Sequence, residues 1–556
     1  MSERLLYILA VTVAALCMLP VLAVVIAALT GSTDSWLHLT ETVLPRYTLT
    51  TLKLVLLVAL GTFVMGTTSA WLVTTCRFPG VRLFEVLLAL PLAFPAYVLA
   101  YAYTDLLDHP GWVQSTLRDV MGWGPRDYWF PEIRSLGGAA LMLSLVLYPY
   151  VYLLARAAFL SQSLGGYQAA RVLGKGPWGA FLTVSLPMAR PAIAGGVLLT
   201  VMETIADFGT VAHFGVQTFA TGIYQAWFSF GDRGAAAQLA LCLLSVALVL
   251  AVLERVQRGA AKRYPSGGGR LPPQPLSGWA ATGAVAACAF PVVFGFVLPL
   301  VVLGNMALDS GVMLGSDRYL GFMRNSLILA GTAAVITLLA AVCIGMIARL
   351  HRSRVTRSLT LVAGIGYAVP GGVIAVGLLV PLAALDNGLD AWMRDSFGVS
   401  TGLLLTGSIA ALVLAYLVRF MAAALSAFDT GITSINPHVD DAARTLGQSP
   451  GGLIRRVHFP MMKTALMTGL LIVFVDVMKE LPATLIMRPF NFDTLAVQAH
   501  RLASDERLAQ AAVPSLVIMA FGLLPVILLC RNLASDGRKR SAPPPSEEAT
   551  LAVPGQ

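Results

Sequence analysis

Long apolar blocks dominate this chain; the first, Leu5 to Thr30, runs 26 residues without a charged side chain. A backbone placed in lipid must satisfy its N–H and C=O groups internally, as a helix or a closed barrel, and a helix needs about 20 apolar residues to cross. The blocks are continuous rather than alternating segments of about ten residues, which excludes a barrel. An all-α integral membrane protein follows. Twelve blocks are long enough, near residues 7–30, 50–75, 83–105, 136–160, 191–212, 236–254, 279–305, 325–349, 359–385, 402–427, 464–486 and 512–530. With 57% hydrophobic and 12% charged residues over 556 positions, the composition lies far from that of a soluble domain. The first block is too long for a cleaved signal core and is expected to be the first span.

The formal charge of +9 does not indicate nucleic acid, because the basic residues sit in the short connections. With the connections alternated between two sides, 25 of the 38 Lys and Arg residues, Arg419 among them, fall on one side and 12 on the other; Lys479 lies inside a span. Positive residues favour the cytoplasm, so both termini are expected there. The six cysteines show no paired spacing and the seven histidines never approach ligand spacing with a second His or Cys, which leaves a metal role unknown. His213 and His500 fall near the outer mouth. The outer connection from Asp105 to Glu132 carries Trp112, Trp123 and Trp129, suited to the lipid interface or to an outer partner.

The connection between the fourth and fifth blocks reads YQAARVLGKGPWGAFLTVSLP, residues 167–187, and that between the tenth and eleventh reads DDAARTLGQSPGGLIRRVHFP, residues 440–460. At a constant offset of 273, nine positions are identical without a gap: Ala169/Ala442, Ala170/Ala443, Arg171/Arg444, Leu173/Leu446, Gly174/Gly447, Pro177/Pro450, Gly179/Gly452, Val184/Val457 and Pro187/Pro460. AFPAYVLA at 93–100 answers AVPGGVIA at 368–375, and TFATGI at 218–223 answers NFDTLA at 491–496. The chain therefore divides into a six-helix half at 1–260, with its loop at 164–190, and a second at 279–535, with its loop at 437–463. A Pro- and Gly-rich linker at 261–278 joins them, and a tail at 536–556 is expected to be disordered. Six is even, so the repeat is parallel, with its pseudo-twofold along the membrane normal.

Two copies of one loop related by a twofold fit a twofold-symmetric body in the cytoplasm. Each carries Ala-Ala-Arg on a short helix, a glycine that permits a sharp turn or close approach, and a second helix broken at proline. In this the sequence resembles the permease subunits of binding-protein-dependent ABC importers. Their cytoplasmic signature is Glu-Ala-Ala, three residues, Gly, nine residues, Ile, one residue, Leu-Pro. The first copy here is Gln168-Ala169-Ala170, Gly174, Val184, Leu186-Pro187; the second is Asp441-Ala442-Ala443, Gly447, Val457, Phe459-Pro460. The spacing is kept, both copies depart at Glu and at Ile, and the second also replaces Leu by Phe. Gln168 cannot supply the charge of the family's glutamate.

The resemblance implies that each loop is a coupling helix seated in an ATP-hydrolysing subunit. Contact would run through Gln168, Ala169, Ala170, Arg171, Gly174 and Pro187 in one half, and Asp441, Ala442, Ala443, Arg444, Gly447 and Pro460 in the other. The chain has no G-x-x-x-x-G-K-[ST] phosphate loop, and GKGPWG at Gly174 lacks that ending. ATP therefore belongs to two copies of a separate ATPase; this chain is expected to be no enzyme and to bind no cofactor of its own.

Past the loops, VMETIADFGT answers FVDVMKELPA, again at offset 273, matching Glu203 to Asp476 and Asp207 to Glu480. The i, i+4 spacing predicts that each pair shares one helical face, some 20 to 30 Å of helix rise beyond the loop prolines. Charges there cost on the order of 3 kcal/mol each at a helix centre and should face an interior. They are either a path for a cationic or metal-bearing substrate, since carboxylate oxygens suit hard cations, or internal struts. Lys479 and Arg488 stand ready to neutralise part of the second set.

ETIADFGTVAHFGVQTFATGIYQAWF from Glu203 and KELPATLIMRPFNFDTLAVQAH from Lys479 look like the fused twelve-span permeases of ferric iron importers, to which a periplasmic binding protein delivers Fe³⁺. That resemblance implies a bacterial inner membrane. Fused thiamine permeases share the architecture, and phosphonate permeases are near. An ion-coupled secondary transporter using the carboxylates as a relay gives no reason for the duplicated loops, and a pore predicts no tight partner on either face.

Overall fold

The computed structural model describes residues 3–31, 33–162, 164–261, 274–313, 315–351, 353–433 and 435–539. Most of the expected linker, 262–273, and the tail from 540 lie outside the described residues. Eleven described helices are long and apolar enough to cross a membrane, or up to twelve if one bent pair counts as a span.

The bent pair is the block expected at 83–105, where Val81–Ala93 and Ala96–Met121 meet at 92°. Pro95 is the cause. It lacks an N–H and drives the preceding residue out of the helical region, so Phe94 is extended at φ −86°, ψ 133°. The second half repeats the break at Val369 and Pro370, between the turn Gly364–Ala368 and the helix Gly371–Phe397.

The block expected at 402–427 forms instead as Ile409–Thr433. Its start is delayed because two aspartates hold the preceding loop against the end of Gly371–Phe397. Buried Asp386 accepts the N–H groups of Leu404, Leu405 and Thr406 at 2.7 to 3.2 Å, and Asp390 accepts those of Thr401 and Gly402 at 2.8 and 3.0 Å. Arg419 lies inside this helix, as it does inside the expected block, which corrects its count among the connection residues.

The fifth and eleventh blocks also end early. Their helices, Leu186–Ala206 and Phe459–Met478, stop before the expected boundaries, and short helices follow at Gly209–His213 and Pro482–Met487. Later short helices start after Thr218 and Thr494, which stand at their N-cap positions. Those caps lie 276 apart, three residues out of register with the TFATGI/NFDTLA match.

Each half lends its first helix to the other. Glu3–Leu29 packs on Asp317–Leu350 and Gly371–Phe397 as well as on Arg233–Ala261, and the stretch from Gly278 to Asp309 packs back on Leu44–Thr75 and Ala96–Leu107. A two-residue parallel pairing of Cys76–Arg77 with Gln274–Pro275 pins the point where the chain enters the second half. The largest buried side chains are tyrosines whose hydroxyls all find partners: Tyr148 on Leu88 O at 2.9 Å, Tyr152 on Glu85 O at 3.0 Å and Tyr416 on Thr484 Oγ1 at 2.6 Å. Burial of an aromatic body with a satisfied tip is what a lipid-embedded core demands. Buried Arg156 is likewise paired, with Glu85 at 2.9 Å.

Candidate functional site

The two loops fold alike. In the first, the helix Leu164–Val172 ends at Gly174 in the left-handed region, φ +81°, where the Gly174 N–H donates to Arg171 O and the Lys175 N–H to Ala170 O, both at 3.0 Å. In the second, Pro437–Thr445 ends at Gly447, φ +76°, and the Gln448 N–H donates to Ala443 O at 3.0 Å. This is the glycine-terminated helix stop that satisfies the last carbonyls. A Cβ at either glycine would meet nothing within 4 Å, so inside this chain both serve the turn and not a close approach. The chain then restarts at Pro177–Ala180 and Pro450–Leu453, and through π turns at Phe181–Ser185 and Ile454–His458 joins the long helices without a break.

Gln168, Ala169 and Arg171 are exposed, and Arg171 donates to Lys175 O at 3.0 Å. Asp441 and Ala442 are exposed in the second loop, as is Pro460, while Pro187 is half-buried. The side chain of Arg444 lies outside the described residues. Ala170 and Ala443, expected to face a partner, turn inward at 5% and 7% exposure, because a nine-residue helix laid on the bundle must bury one side. The outward apolar residues are Val172, Leu173 and Leu446, each at least 80% exposed. Leu173 and Leu446 stood among the nine identities; their place beside the capping glycine was the signal that sequence reasoning passed over.

Each loop is fastened at its base. Buried Asp440 takes Arg349 Nε at 2.8 Å and His458 Nε2 at 2.7 Å, and Arg349 also donates to Ile435 O at 3.1 Å. At the same offset the first half has Cys76 and Ser185 in place of Arg349 and His458, so the repeat carried no hint of this brace. There Gln162 donates from Nε2 to Ser185 O at 2.7 Å instead.

The carboxylate pairs do not share helical faces. Both helices end between their members, at Ala206 and at Met478. Asp207 leaves the helix with ψ 130° and caps Gly209–His213, accepting from the N–H of Thr210 at 3.0 Å, of Val211 at 3.1 Å and from the Thr210 hydroxyl at 3.0 Å. Glu480 caps Pro482–Met487 through the N–H of Ala483 at 3.0 Å, of Thr484 at 3.1 Å and the Thr484 hydroxyl at 2.8 Å. A short helix away from water has N–H groups that only a side chain can satisfy, and here one carboxylate does so in each half.

Glu203 and Asp476 remain in the final turns of their helices, one from each half. The Tyr367 hydroxyl donates to Glu203 Oε1 at 3.3 Å, and Lys479 Nζ pairs with Asp476 Oδ1 at 2.8 Å. Tyr150 lies within electrostatic range of Glu203, Asp476 and Arg419 together, so the two acids and Lys479 form one intramembrane cluster. Arg488 takes no part in it and pairs with Asp493.

The fold also brings both His213 and His500 against Tyr101. His213 Nε2 lies 2.9 Å from Thr104 Oγ1, His500 Nδ1 lies 3.3 Å from Tyr101 Oη, and the His213 ring stacks edge-on to Tyr101 at 4.9 Å. Burial holds both imidazoles down to about 4, with the Arg134 charge adding to the effect at His213. A groove of about 330 Å³ opens nearby between Phe208, Gln217, Thr221, Tyr224 and Gln225. Among the described residues no group of three or more His, Cys, Asp or Glu is placed to hold a metal ion.

Residues 341–536 match the family model of the binding-protein-dependent transport system inner membrane component. The chain is 25% identical over 490 residues to the Fe(3+)-transport system permease protein FbpB 2 of Haemophilus influenzae, covering 86% of this chain and 88% of that one. It is 29% identical over 208 residues to the molybdenum transport system permease protein ModB of Escherichia coli K12, covering 36% of this chain and 87% of that one. It is also 25% identical over 274 residues to the putative 2-aminoethylphosphonate transport system permease protein PhnV of Salmonella typhimurium LT2, 47% of this chain and 97% of that one. Two relatives of about half the length, matched nearly end to end, accord with a chain built from two copies of one unit.

Replacing Asp207 or Glu480 with alanine removes a cap and should cost about 1–2 kcal/mol of stability. Thermal unfolding in detergent should place both variants below Glu203→Gln, which removes no cap. The histidines give a pH signature. Neutral in the folded chain down to about 4 and titrating near 6.5 when unfolded, they stabilise fully above about 6.5 and lose that contribution as the pH falls toward 4. The loss has a limiting slope of about 1.4 kcal/mol per pH unit for each ring. The double variant His213→Gln, His500→Gln should flatten the unfolding-midpoint profile across that window.

Proposed function

We propose that this chain, a permease of the binding-protein-dependent import family, carries ferric iron across the inner membrane. Two copies of an ATPase sit on its paired loops, a binding protein docks on the opposite face, and both termini lie in the cytoplasm. The reading of an ATP-driven importer rests above all on the loops. Two identically stopped helices, at Gly174 and Gly447, present exposed Leu173 and Leu446 at equivalent points, and a twofold-symmetric partner needs that arrangement. Loop 164–190 belongs to a first unit at 1–260 and loop 437–463 to a second at 279–535.

The route from loop to path is short and stiff. From Leu186 to Glu203 and from Phe459 to Asp476 the chain is unbroken helix, about 26 Å of rise each, so displacement of a loop moves an intramembrane acid with it. ATP closing the ATPase pair pulls the loops together, and the halves rock about the cluster of Glu203, Asp476 and Lys479. Asp207 and Glu480 hold the ends of the path as caps. The chain binds no cofactor; ATP stays on the partner.

Similarity over 86% of the chain to a Fe(3+)-transport permease supports iron as the cargo. Glu203 and Asp476 supply oxygen donors of the kind hard cations prefer. Thiamine is the rival for the same architecture.

Reconstitution with the ATPase and binding protein tests the cargo. Ferric-loaded binding protein should stimulate hydrolysis and uptake, and stimulation by thiamine-, molybdate- or aminoethylphosphonate-loaded protein instead would replace iron. For the loops, Gly174→Val and Gly447→Val force a β-branched residue into the left-handed region, and each should leave hydrolysis running while uptake falls at least tenfold. Normal uptake by either variant contradicts the coupling role.

A further inference from the structure

On the face opposite the paired loops, one side chain joins the halves. Arg134, just before the helix Leu136–Leu160, makes a bidentate pair with Glu506 through Nη1–Oε1 at 2.7 Å and Nη2–Oε2 at 2.8 Å, while its Nε bonds Asp108 Oδ2 of its own half at 2.9 Å. Two parallel bonds make this the strongest geometry an ion pair has. The halves also meet close by, where His500 packs on Phe208 and bonds Tyr101.

Glu506 holds an unusual backbone for its type. It sits at φ +56° in the turn that ends Leu495–Ser504, with the Arg507 N–H donating to Leu502 O at 2.8 Å and its own N–H to Ala503 O at 3.1 Å. That is the helix stop which glycine ordinarily fills. The corresponding turn of the first half, before Arg233–Ala261, does use a glycine, Gly231 at φ +65°. A strained glutamate where its repeat has glycine points to a side chain retained for what it touches, and it touches Arg134.

We propose that Arg134 and Glu506 form a latch that closes this face between the halves and opens once in each transport cycle. The proposal rests on the ATP-driven reading above and not on iron as cargo. Its chemistry suits repeated opening. The pair lies at the surface, with Glu506 61% exposed, so water solvates it on release. Asp108 then keeps Arg134 paired, and the turn at Glu506 loses the contact that paid for its backbone. Binding-protein docking on that face would supply the competing interactions.

The test is made on the complex of this chain with its ATPase, reconstituted in liposomes. Glu506→Gln and Arg134→Gln should raise hydrolysis in the absence of binding protein by about two- to fivefold, the range an exposed pair commands. The exchange Arg134→Glu with Glu506→Arg should bring it back toward wild type. Glu506→Gly relieves the backbone and removes the side chain, so it should match Glu506→Gln in hydrolysis while being the more heat-stable. Arg134→Cys with Glu506→Cys, bridged by a reducible bifunctional thiol reagent, should lose uptake and regain it on reduction, with reagent-treated wild type as control. Unchanged basal hydrolysis in both single variants, or undiminished uptake by the bridged protein, overturns the latch. Failure of wild type to respond to any loaded binding protein would overturn the importer reading instead.

Discussion

The structure depends on one constraint: a helix broken inside a membrane has to find new partners for the N–H and C=O groups that the break exposes. This chain breaks helices repeatedly, at Pro95, at Pro370, after Ala206 and after Met478, and its best-made polar contacts lie near those breaks or where the chain leaves a span. Asp207 and Glu480 each serve two N–H groups, Asp386 serves three, and Gly174 and Gly447 supply the turns that close their helices. Side chains that look like functional charges in the sequence are in large part the cost of irregular backbone in an apolar surrounding.

That constraint separates the four matched acids into two kinds. A carboxylate that accepts three bonds is committed, because releasing it would strand buried donors. Glu203 and Asp476 each meet a single side chain, Tyr367 and Lys479 respectively, and both sit at the far end of the helices that begin at the loops. The repeat therefore builds, in each half, a capping acid held by three bonds and, four residues before it, an acid held by one side chain. Motion delivered from the loops would reach the second without dismantling the first.

The sequence made the spans, the parallel repeat and the paired loops legible because these rest on block length and on ungapped identity, which survive without coordinates. It misread what depends on where a helix stops. The i, i+4 rule put Glu203 with Asp207 on one face, yet the rule holds only within a helix and the helix ends at Ala206. The tenth block was begun seven residues early because nothing in Leu403, Leu404 and Leu405 reveals that Asp386 holds this stretch folded outside the next helix. Ala170 and Ala443 read as contact residues because small side chains permit approach from either side, and only packing decides which. Arg349, Asp440 and His458 lie 91 and 18 residues apart in sequence and converge through the fold alone.

Where the halves stay alike and where they differ follows from what each position meets. The loops keep nine identities, as a proposed symmetric partner presenting the same surface to both would demand. The bases of the loops diverge, Gln162 on Ser185 against Asp440 with Arg349 and His458, because each meets only its own half and any satisfied contact will serve. Along the shared seam the halves diverge too: at offset 273 Arg134 answers to Gly407 and Tyr367 to Phe94, so neither the Arg134–Glu506 nor the Tyr367–Glu203 contact is repeated. A single chain makes such unrepeated pairs available, because each position can be chosen without altering its counterpart. The seam is thus the place where a fused permease can depart furthest from the symmetry of its loops.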